Sequence, residues 1–204
     1  MERKCLIVGA GDFDPVLLPE KNPEDLLIAA DGGYAALKAA GFSPDVCVGD
    51  FDSLGFVPEG CEVIRLPVMK NETDMSAAAL TGLERGYKDF TFFGVLGGRR
   101  FSHSVAALQT LARLKKLGAS CRIRDALCTV TALSGETIHF PAGTTGDISA
   151  FAADGVARVT LKGLLYPLTS FQLSDTFPLG VSNAFTGASA SVTAEEGILL
   201  LITE

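Results

Sequence analysis

The sequence predicts an N-terminal α/β domain with a mainly parallel sheet, followed by a C-terminal all-β sandwich domain. Short apolar runs alternate with helical patterns over about the first 125 residues, whereas later β-prone runs separated by Gly, Pro and Ser show no helical pattern. The composition also fits, because 204 residues with 48% apolar and 20% charged side chains form an ordinary globular chain with room for two small domains. We place the domains at residues 1–126 and 127–204.

The predicted α/β domain repeats strand and helix along the chain. Apolar runs indicate strands at residues 4–9, 26–30, 46–49, 62–66, 90–93 and 121–124. Helical patterns cover residues 34–40, 73–85 and the segment from Ser102 or Ser104 to residue 116. Thr73 is the expected N-cap of the second helix, and Val105, Leu108, Leu111 and Leu114 form the apolar stripe of the third. Such alternation is typical of a parallel sheet with helices on its faces.

The second half of the sequence has a different pattern, with short β-prone runs and no helical pattern. Its β-prone runs are residues 130–133, 137–140, 147–152, 157–161, 188–192 and 198–203. Short strands at this spacing, without helices between them, are typical of a small antiparallel sandwich or barrel.

Charge and hydropathy exclude several classes of partner. With 17 basic and 24 acidic residues the net charge is −7, so we expect no nucleic-acid or anionic-lipid surface. No apolar run approaches the ~20 residues of a membrane span. The first apolar stretch is short and is followed by Asp12 and Asp14, so we expect no signal peptide.

The five cysteines fit a reducing cytosol. Their number is odd and no pair has C-x-x-C spacing, which favours small buried side chains over a zinc or redox site. We therefore expect a cytoplasmic protein.

Acidic residues follow the predicted strands, at the edge where parallel sheets bind ligands. Asp31, Asp50 and Asp52 follow the second and third strands, and Asp74 opens the next helix. In an extended segment Asp50 and Asp52 would point the same way, with Phe51 turned toward the core. Two close carboxylates, with Asp74 as a third ligand or as the residue that orients a nucleophile, suit Mg²⁺. The alternatives are a simple turn at Asp31 and a turn cap at Asp50.

A glycine-rich loop with arginines supplies the opposite charge. Gly97 and Gly98 allow backbone N–H groups to approach an anion, and Arg100 offers bidentate contact to a phosphate. The loop lacks the Gly-Lys-Ser/Thr ending of a Walker motif. His103 can bond a phosphate or an adenine, or be a packed structural histidine. His139, in a β-prone run, is expected at the surface or in the core.

Taken together and in order, these motifs resemble the thiamine pyrophosphokinase (thiamine diphosphokinase) family. The matching segments are residues 30–33, 49–53, 70–74, 98–103, 163–168, 180–183 and 197–200. The sequence departs from the family pattern at Arg99, where Gly is usual, at Ser102, where Asp is usual, and at Ala184, where Glu often follows Ser-Asn.

The resemblance implies transfer of pyrophosphate from ATP to the hydroxyethyl group of thiamine, releasing AMP. It also implies an α/β domain that binds nucleotide, a β-sandwich that binds thiamine, and a homodimer with thiamine near the subunit interface. The catalytic residues would be Asp50, Asp52, Asp74 and Arg100, and Mg²⁺ would be held by Asp50, Asp52 and Asp74. The implied ATP contacts are Asp31, Gly32, Gly33, Gly97, Gly98, Arg100, Ser102 and His103. The implied thiamine contacts are Thr73, Asp74, Ser182 and Asn183.

The sequence is compatible with two other functions. The departures at Ser102 and Ala184 suggest a pyrophosphokinase for another alcohol, such as a hydroxymethylpterin, although Tyr166, Pro167 and Leu168 argue against it. A non-catalytic nucleotide- or thiamine-binding protein is the second alternative, and retention of the four aspartates argues against that.

Overall fold

The computed structural model describes residues 3–69, 71–98 and 100–204, so Lys70 and Arg99 of the sequence motifs lie outside the described residues. The chain divides into two compact units. The first comprises the residues up to Thr110 together with Gly118–Ala126, and the second comprises Leu111–Leu117 and Leu127–Glu204. Within the described ranges, no helix combines the length and the hydropathy needed to cross a bilayer.

The first unit contains the expected parallel sheet. Its strands are β1 (Lys4–Val8), β2 (Leu26–Ala30), β3 (Val46–Gly49), β4 (Glu62–Arg65), β5 (Asp89–Phe93) and β6 (Ser120–Arg124). They pair in the order β4-β3-β2-β1-β5-β6, and every pair is parallel. All five residues of β2 are buried, because a central parallel strand is covered on both faces.

Three helices run between these strands: α1 (Gly33–Ala39), α2 (Asp74–Glu84) and α3 (Phe101–Lys116). The buried face of α2 consists of small residues, among them Ala78 and Gly82, and Met75 and Leu83 are only partly buried. A side chain at Gly82 would meet the Phe90 ring at 2.7 Å, so the glycine lets α2 lie directly against the sheet.

The apolar stripe of α3 differs from the expected one. Val105 is 41% exposed, while Ser104, Ala107, Leu111 and Leu114 are buried. Their spacing of three and four residues is that of one helix face. The stripe therefore begins one residue earlier than the large apolar side chains alone indicate.

Apart from Leu111–Leu117, which include the end of α3, the second unit consists of β-strands and their connections, as expected. Its strands are β7 (Thr129–Leu133), β8 (Glu136–Phe140), β9 (Asp147–Ala152), β10 (Val156–Lys162), β11 (Leu168–Ser174), β12 (Asn183–Ala184), β13 (Ala190–Glu196) and β14 (Leu199–Thr203). They form antiparallel pairs in the orders β12-β9-β14-β7 and β11-β10-β13-β8. Ile148 and Leu199 from the first set share one core with Val159 and Val192 from the second.

The sequence pattern missed β11 and β12. In β11 only Leu173 is buried, so the strand has no alternation of apolar and polar residues. Ser170 has a left-handed backbone with φ +44°, and the pairing of β11 with β10 shifts register near Val159. A two-residue strand such as β12 is too short to give any periodic signal.

Candidate functional site

The candidate site of the first unit lies at the carboxyl ends of its parallel strands. A cavity of about 210 Å³ opens there. Its lining comprises Gly9, Ala10, Gly11, Ala30, Asp31, Thr73, Asp74, Met75, Gly94, Val95, Gly97, Gly98, Arg100 and His103. The structure thus brings together most of the polar residues that the sequence placed at this edge. Among the described residues, Gly32, Gly33, Asp50, Asp52 and Ser102 do not line the cavity.

Asp31, directly after β2, has an unusual backbone conformation and a carboxylate with one oxygen that lacks a hydrogen-bond partner. Its backbone is left-handed, with φ +46°. Its Oδ2 accepts a hydrogen bond of 2.5 Å from the Ser53 hydroxyl, whereas its Oδ1 is buried without a hydrogen-bond partner. Burying an uncompensated carboxylate oxygen is costly. Asp31 is therefore shaped to receive a cation or a hydrogen-bond donor from a ligand.

Gly32 and Gly33 have packing roles. A Cβ at Gly33 would lie 2.0 Å from the Val8 carbonyl oxygen, and one at Gly32 would lie 2.9 Å from the Ala10 Cβ. These glycines let the start of α1 approach the end of β1. Of the three nucleotide contacts expected at this turn, Asp31, Gly32 and Gly33, Asp31 alone lines the cavity.

Two glycine-rich segments lie backbone to backbone beside the cavity. The N–H of Gly9 donates to the Phe93 carbonyl, and that of Gly11 donates to the Gly94 carbonyl at 2.7 Å. A Cβ at Gly11 would meet the Leu96 carbonyl oxygen at 2.6 Å. Only glycine permits this approach, so the loop after β5 has its position fixed by the residues after β1.

Asp12 was not among the expected site residues, yet it holds the turn at Gly97 and Gly98. Its Oδ2 accepts the Gly98 N–H at 3.2 Å, and its own N–H donates to the Leu96 carbonyl. Gly97 and Gly98 have φ +65° and +72°, which only glycine adopts without strain. The Gly-x-Gly-Asp run after the first strand was the available sequence signal.

The N-terminus of α2 presents Thr73 and Asp74 to the cavity. The Thr73 hydroxyl oxygen caps the helix by accepting the Ser76 N–H at 3.1 Å, as the sequence predicted. Asp74 follows in the first turn, where the helix dipole favours a negative charge.

Arg100 and His103 bring basic groups to the same cavity. His103 is exposed overall, but protein atoms against part of its ring lower the pKa of the imidazole, and the Arg100 charge lowers it further. The carboxylates of Asp74 and Asp31 act in the opposite sense on this pKa. The basic and the acidic groups of the site therefore both act on the pKa of His103.

The segment after β3 differs from the extended geometry expected for Asp50 and Asp52. Phe51 does point into the core and is 3% exposed, but its φ of +62° turns the chain. The Asp50 carboxylate accepts the Asp52 N–H at 3.3 Å, which is the turn-capping alternative. Ser53, a member of this motif to which no role was assigned, joins the segment to Asp31.

No three metal-ligating side chains among the described residues already form a cluster. A cation that takes one or two protein carboxylates and completes its shell with phosphate oxygens and water needs no such cluster, and Mg²⁺ binds in this way. Asp31, with its unpartnered Oδ1, and Asp74, in the same cavity, fit that requirement.

In the second unit, the predicted thiamine contact Asn183 already has structural partners. Its Oδ1 accepts the Tyr166 N–H and the Ala184 N–H, each at 2.9 Å. Its Nδ2 donates to the Tyr166 carbonyl at 2.7 Å. Asn183 is 5% exposed and fixes the Tyr166 segment, so most of its hydrogen-bonding capacity serves the fold.

Ser182 is exposed beside it, with φ +56° and its N–H donating to the Ser149 hydroxyl. The Tyr166 side chain is also exposed, at 62%. These two side chains, unlike that of Asn183, face solvent and are accessible to a ligand.

Comparison with known proteins agrees with this architecture. Residues 19–123 match the family model for the thiamin pyrophosphokinase catalytic domain, and residues 136–199 match the thiamin pyrophosphokinase vitamin B1 binding domain. A thiamine pyrophosphokinase of Bacillus subtilis (strain 168) is 24% identical over 202 residues, which are 95% of this chain and 94% of that protein.

Solved structures are similar over nearly the whole chain. The crystal structure of thiamine pyrophosphokinase from Bacillus subtilis has a TM-score of 0.84 at 24% identity and covers 99% of both chains. That of thiamin pyrophosphokinase from Geobacillus thermodenitrificans has a TM-score of 0.77 at 28% identity and covers 98% of this chain and 97% of the other. Because the catalytic-domain model spans more than half of the chain and the second model most of the remainder, the chain belongs to the thiamin pyrophosphokinase family, whose enzymes are ATP-dependent diphosphotransferases acting on thiamine.

Proposed function

We propose that this chain transfers the pyrophosphoryl group of ATP to the hydroxyethyl oxygen of thiamine and releases AMP. Family membership supports the choice of substrates. The structural observation that carries the proposal is Asp31 Oδ1, a buried carboxylate oxygen without a partner at a cavity that also presents Arg100 and His103. A divalent cation held by this carboxylate would supply positive charge for a polyphosphate and would give the Asp31 oxygen a partner.

In this proposal Asp31 and Asp74 hold Mg²⁺ at the cavity, and Asp50 and Asp52 belong to the same acidic group through the Ser53–Asp31 hydrogen bond. When bound, the ion neutralises charge that develops on the polyphosphate during transfer. Asp50 and Asp52, which do not line the cavity, would add negative charge to the site.

The phosphate chain is oriented by the loop after β5 and the start of α3. Gly97 and Gly98 expose backbone on the cavity side, and Arg100 provides a fixed cation with donors matched to phosphate oxygens. α3 has 16 residues, and its N-terminus adds a favourable dipole. These groups act by positioning and by electrostatic stabilisation, which dominate phosphoryl-transfer catalysis.

For the acceptor, we propose that Asp74 receives or orients the thiamine hydroxyl proton and that Thr73 keeps Asp74 in place by capping α2. Ser182 and the Tyr166 ring are our candidates for direct contact with the aminopyrimidine, and Asn183 organises both. Residues 1–126 then act as the nucleotide-binding catalytic domain and 127–204 as the thiamine-binding sandwich.

We further propose that the second unit forms a homodimer. Large apolar side chains are exposed along one stretch of it: Leu165, Tyr166, Phe171, Phe177, Leu179 and Val181, each between 41% and 64%. We take these side chains as part of the contact surface, because large exposed apolar area is typical of an interface. Sedimentation should give a species of twice 21.3 kDa at micromolar concentration, and a fully active monomer would contradict the proposal.

The reaction is tested by incubating the protein with ATP, thiamine and Mg²⁺ and quantifying AMP and thiamine diphosphate by chromatography. The two products should form in equal amounts and should disappear when the metal is chelated. AMP without thiamine diphosphate, or phosphorylation of a hydroxymethylpterin in preference to thiamine, would contradict the assignment.

The role of the segment after β3 is tested by Asp52→Asn. Because Asp52 is exposed and in a turn, the fold should be kept while kcat falls at least about tenfold from the weakened field on the metal. Asp154→Asn, which removes an exposed charge paired with Lys116 in the second unit, is the matched control and should retain full activity. Normal turnover of Asp52→Asn at saturating Mg²⁺ would remove Asp52 from the site.

A further inference from the structure

Cys47 and Cys61 lie side by side in the first unit, a relation that their separation of 14 residues conceals in the sequence. Their Sγ atoms are 3.1 Å apart. A disulfide bond is about 2.05 Å long, so the two sulfurs need to move together by only about 1 Å to bond. Neither is bonded in the structure, which describes all five cysteines.

The two thiols differ in access. Cys47 is in the middle of β3 and fully buried, whereas Cys61, immediately before β4, is only partly buried. Both pack in the apolar cluster that contains Phe51 and Val63. A reagent from solvent therefore reaches the thiol of Cys61 first, because the thiol of Cys47 is buried.

From this arrangement we propose that Cys47 and Cys61 are a reversible redox pair, oxidised to an intramolecular disulfide by a small-molecule disulfide such as oxidised glutathione. The proposal is independent of the proposed catalytic function. It concerns a covalent modification site that also closes the segment 48–60, which carries Asp50 and Asp52.

The reaction balances in two exchange steps. The Cys61 thiolate attacks the glutathione disulfide, forming a mixed disulfide and expelling one glutathione thiolate. Cys47 then loses its proton to that thiolate and attacks the Cys61 sulfur, expelling the second glutathione, which takes up the proton that Cys61 released. Two cysteines lose two electrons and two protons, and one glutathione disulfide becomes two thiols.

The environment of Cys47 supports this order. Burial raises the pKa of the Cys47 thiol, and contact with Cys61 raises it further. Cys47 therefore stays protonated and unreactive toward outside reagents, and it acts only on a disulfide placed beside it. In a reducing cytosol the pair remains as thiols, and oxidising conditions convert it.

The disulfide would join β3 to the edge strand β4 at the base of the acidic segment. β4 pairs only with β3 among the described strands, so this edge is held from one side. A covalent bond at its start restricts the loop between the two strands. Oxidation should thus protect residues 48–60 from proteolysis, independently of any effect on activity.

The test uses the full chain treated with oxidised glutathione, quenched by alkylation in denaturant. The thiol count should fall from five to three per chain, and the digest should contain a peptide pair linking Cys47 to Cys61 with the loss of two hydrogens. Excess dithiothreitol should restore five thiols. The linked peptide is read from the unmutated protein, so the result does not depend on a variant folding.

Variants make the assignment specific. Cys61→Ala should lose the thiol change altogether, and Cys47→Ala should instead stop at a glutathione adduct on Cys61. Cys5→Ala, which removes another fully buried cysteine and keeps the pair, should fall from four thiols to two. A stable glutathione adduct on Cys61 of the unmutated protein, a linkage between other cysteines or between chains, or five thiols after treatment would each overturn the proposal.

Discussion

In the first unit the partly exposed carboxylate of Asp31 keeps one buried oxygen without a hydrogen-bond partner, whereas in the second unit the buried amide of Asn183 makes three hydrogen bonds to backbone. Both residues belong to motifs that the family resemblance assigns to substrates. Their surroundings differ. The fold leaves one oxygen of Asp31 without a hydrogen-bond partner, whereas the side chain of Asn183 hydrogen-bonds to the backbone of neighbouring segments.

The same contrast extends to other buried groups. Within the described residues, both side-chain oxygens that are buried without a partner, Asp31 Oδ1 and Ser104 Oγ, lie in the first unit. Ser104 lies in the first turn of α3, one residue beyond His103. Because proteins satisfy nearly all buried polar atoms, an unsatisfied one is a candidate position for a ligand, an ion or a water molecule. Motif membership alone therefore does not show which of these residues keeps hydrogen-bonding capacity for a substrate.

The largest effect should come from Asp31→Asn. Asparagine tolerates the left-handed backbone at this position and can still accept the Ser53 hydroxyl, so the change removes the charge and little else. We expect kcat/KM to fall by at least about 100-fold, as for loss of one preorganised electrostatic group. Steady-state assays at saturating Mg²⁺ measure it.

The melting temperature of Asp31→Asn should not fall, because asparagine keeps an acceptor for the Ser53 hydroxyl and removes the charge beside a buried oxygen that has no hydrogen-bond partner. Stability that falls together with activity would show that Asp31 is a scaffold residue, and the contrast between the units would fail.

The second effect should be on stability, at Asn183→Ala. The substitution leaves the Tyr166 N–H and C=O without their partners, and we expect a loss of about 2–3 kcal/mol in the free energy of unfolding. Denaturant titration measures it. Ser182→Ala, the exposed neighbour, is the matched control and should change the free energy little.

A selective loss of thiamine affinity in a fully stable Asn183→Ala protein would reverse this interpretation. It would restore Asn183 as a direct contact and leave the backbone at Tyr166 adequately solvated without it.

Whether an element could be predicted from the sequence depends on how local the interactions that form it are. Parallel strands such as β2 and β3 were predicted to the residue, because burial on both faces makes them continuous apolar runs between turn residues. The cap at Thr73 was predicted because capping is local in sequence. β11 was missed because an edge strand with one buried residue has no period.

Within the site, the sequence identified the chemical types but not their partners. Asp31, Asp74, Arg100 and His103 do line one cavity. The hydrogen bonds of Asp31 with Ser53 and of Gly98 with Asp12 join residues 22 and 86 positions apart, and no local pattern encodes them. The turn at Phe51 also escaped, because a left-handed backbone at a bulky buried residue is decided by packing.

A smaller effect is expected at Asp12→Ala. Gly98 would lose the acceptor of its N–H and the turn would become less ordered, so KM for ATP should rise several-fold, the equivalent of about 1 kcal/mol, with kcat nearly unchanged. Asp14→Ala, which removes the acceptor of the Val16 N–H in the neighbouring short 3-10 turn, is the control and should leave both constants unaltered. A fall in kcat alone would place Asp12 among the groups that act on the reacting atoms.

The smallest effect concerns His103 and pH. Its pKa in the folded chain lies below the ordinary value of about 6.5, because protein atoms shield the ring and Arg100 repels the proton. The unfolded chain therefore takes up this proton first as the pH falls, so His103 costs the folded state stability below about pH 6.5 and nothing well above it. Relative to His103→Gln, the unmutated protein should lose stability between about pH 7 and pH 5. An NMR titration of the imidazole adds a sharper test, since Asp31 raises this pKa and Asp31→Asn should lower it further. A pKa that is unchanged in Asp31→Asn would mean that the acidic and basic groups lining the cavity of the first unit do not act on each other.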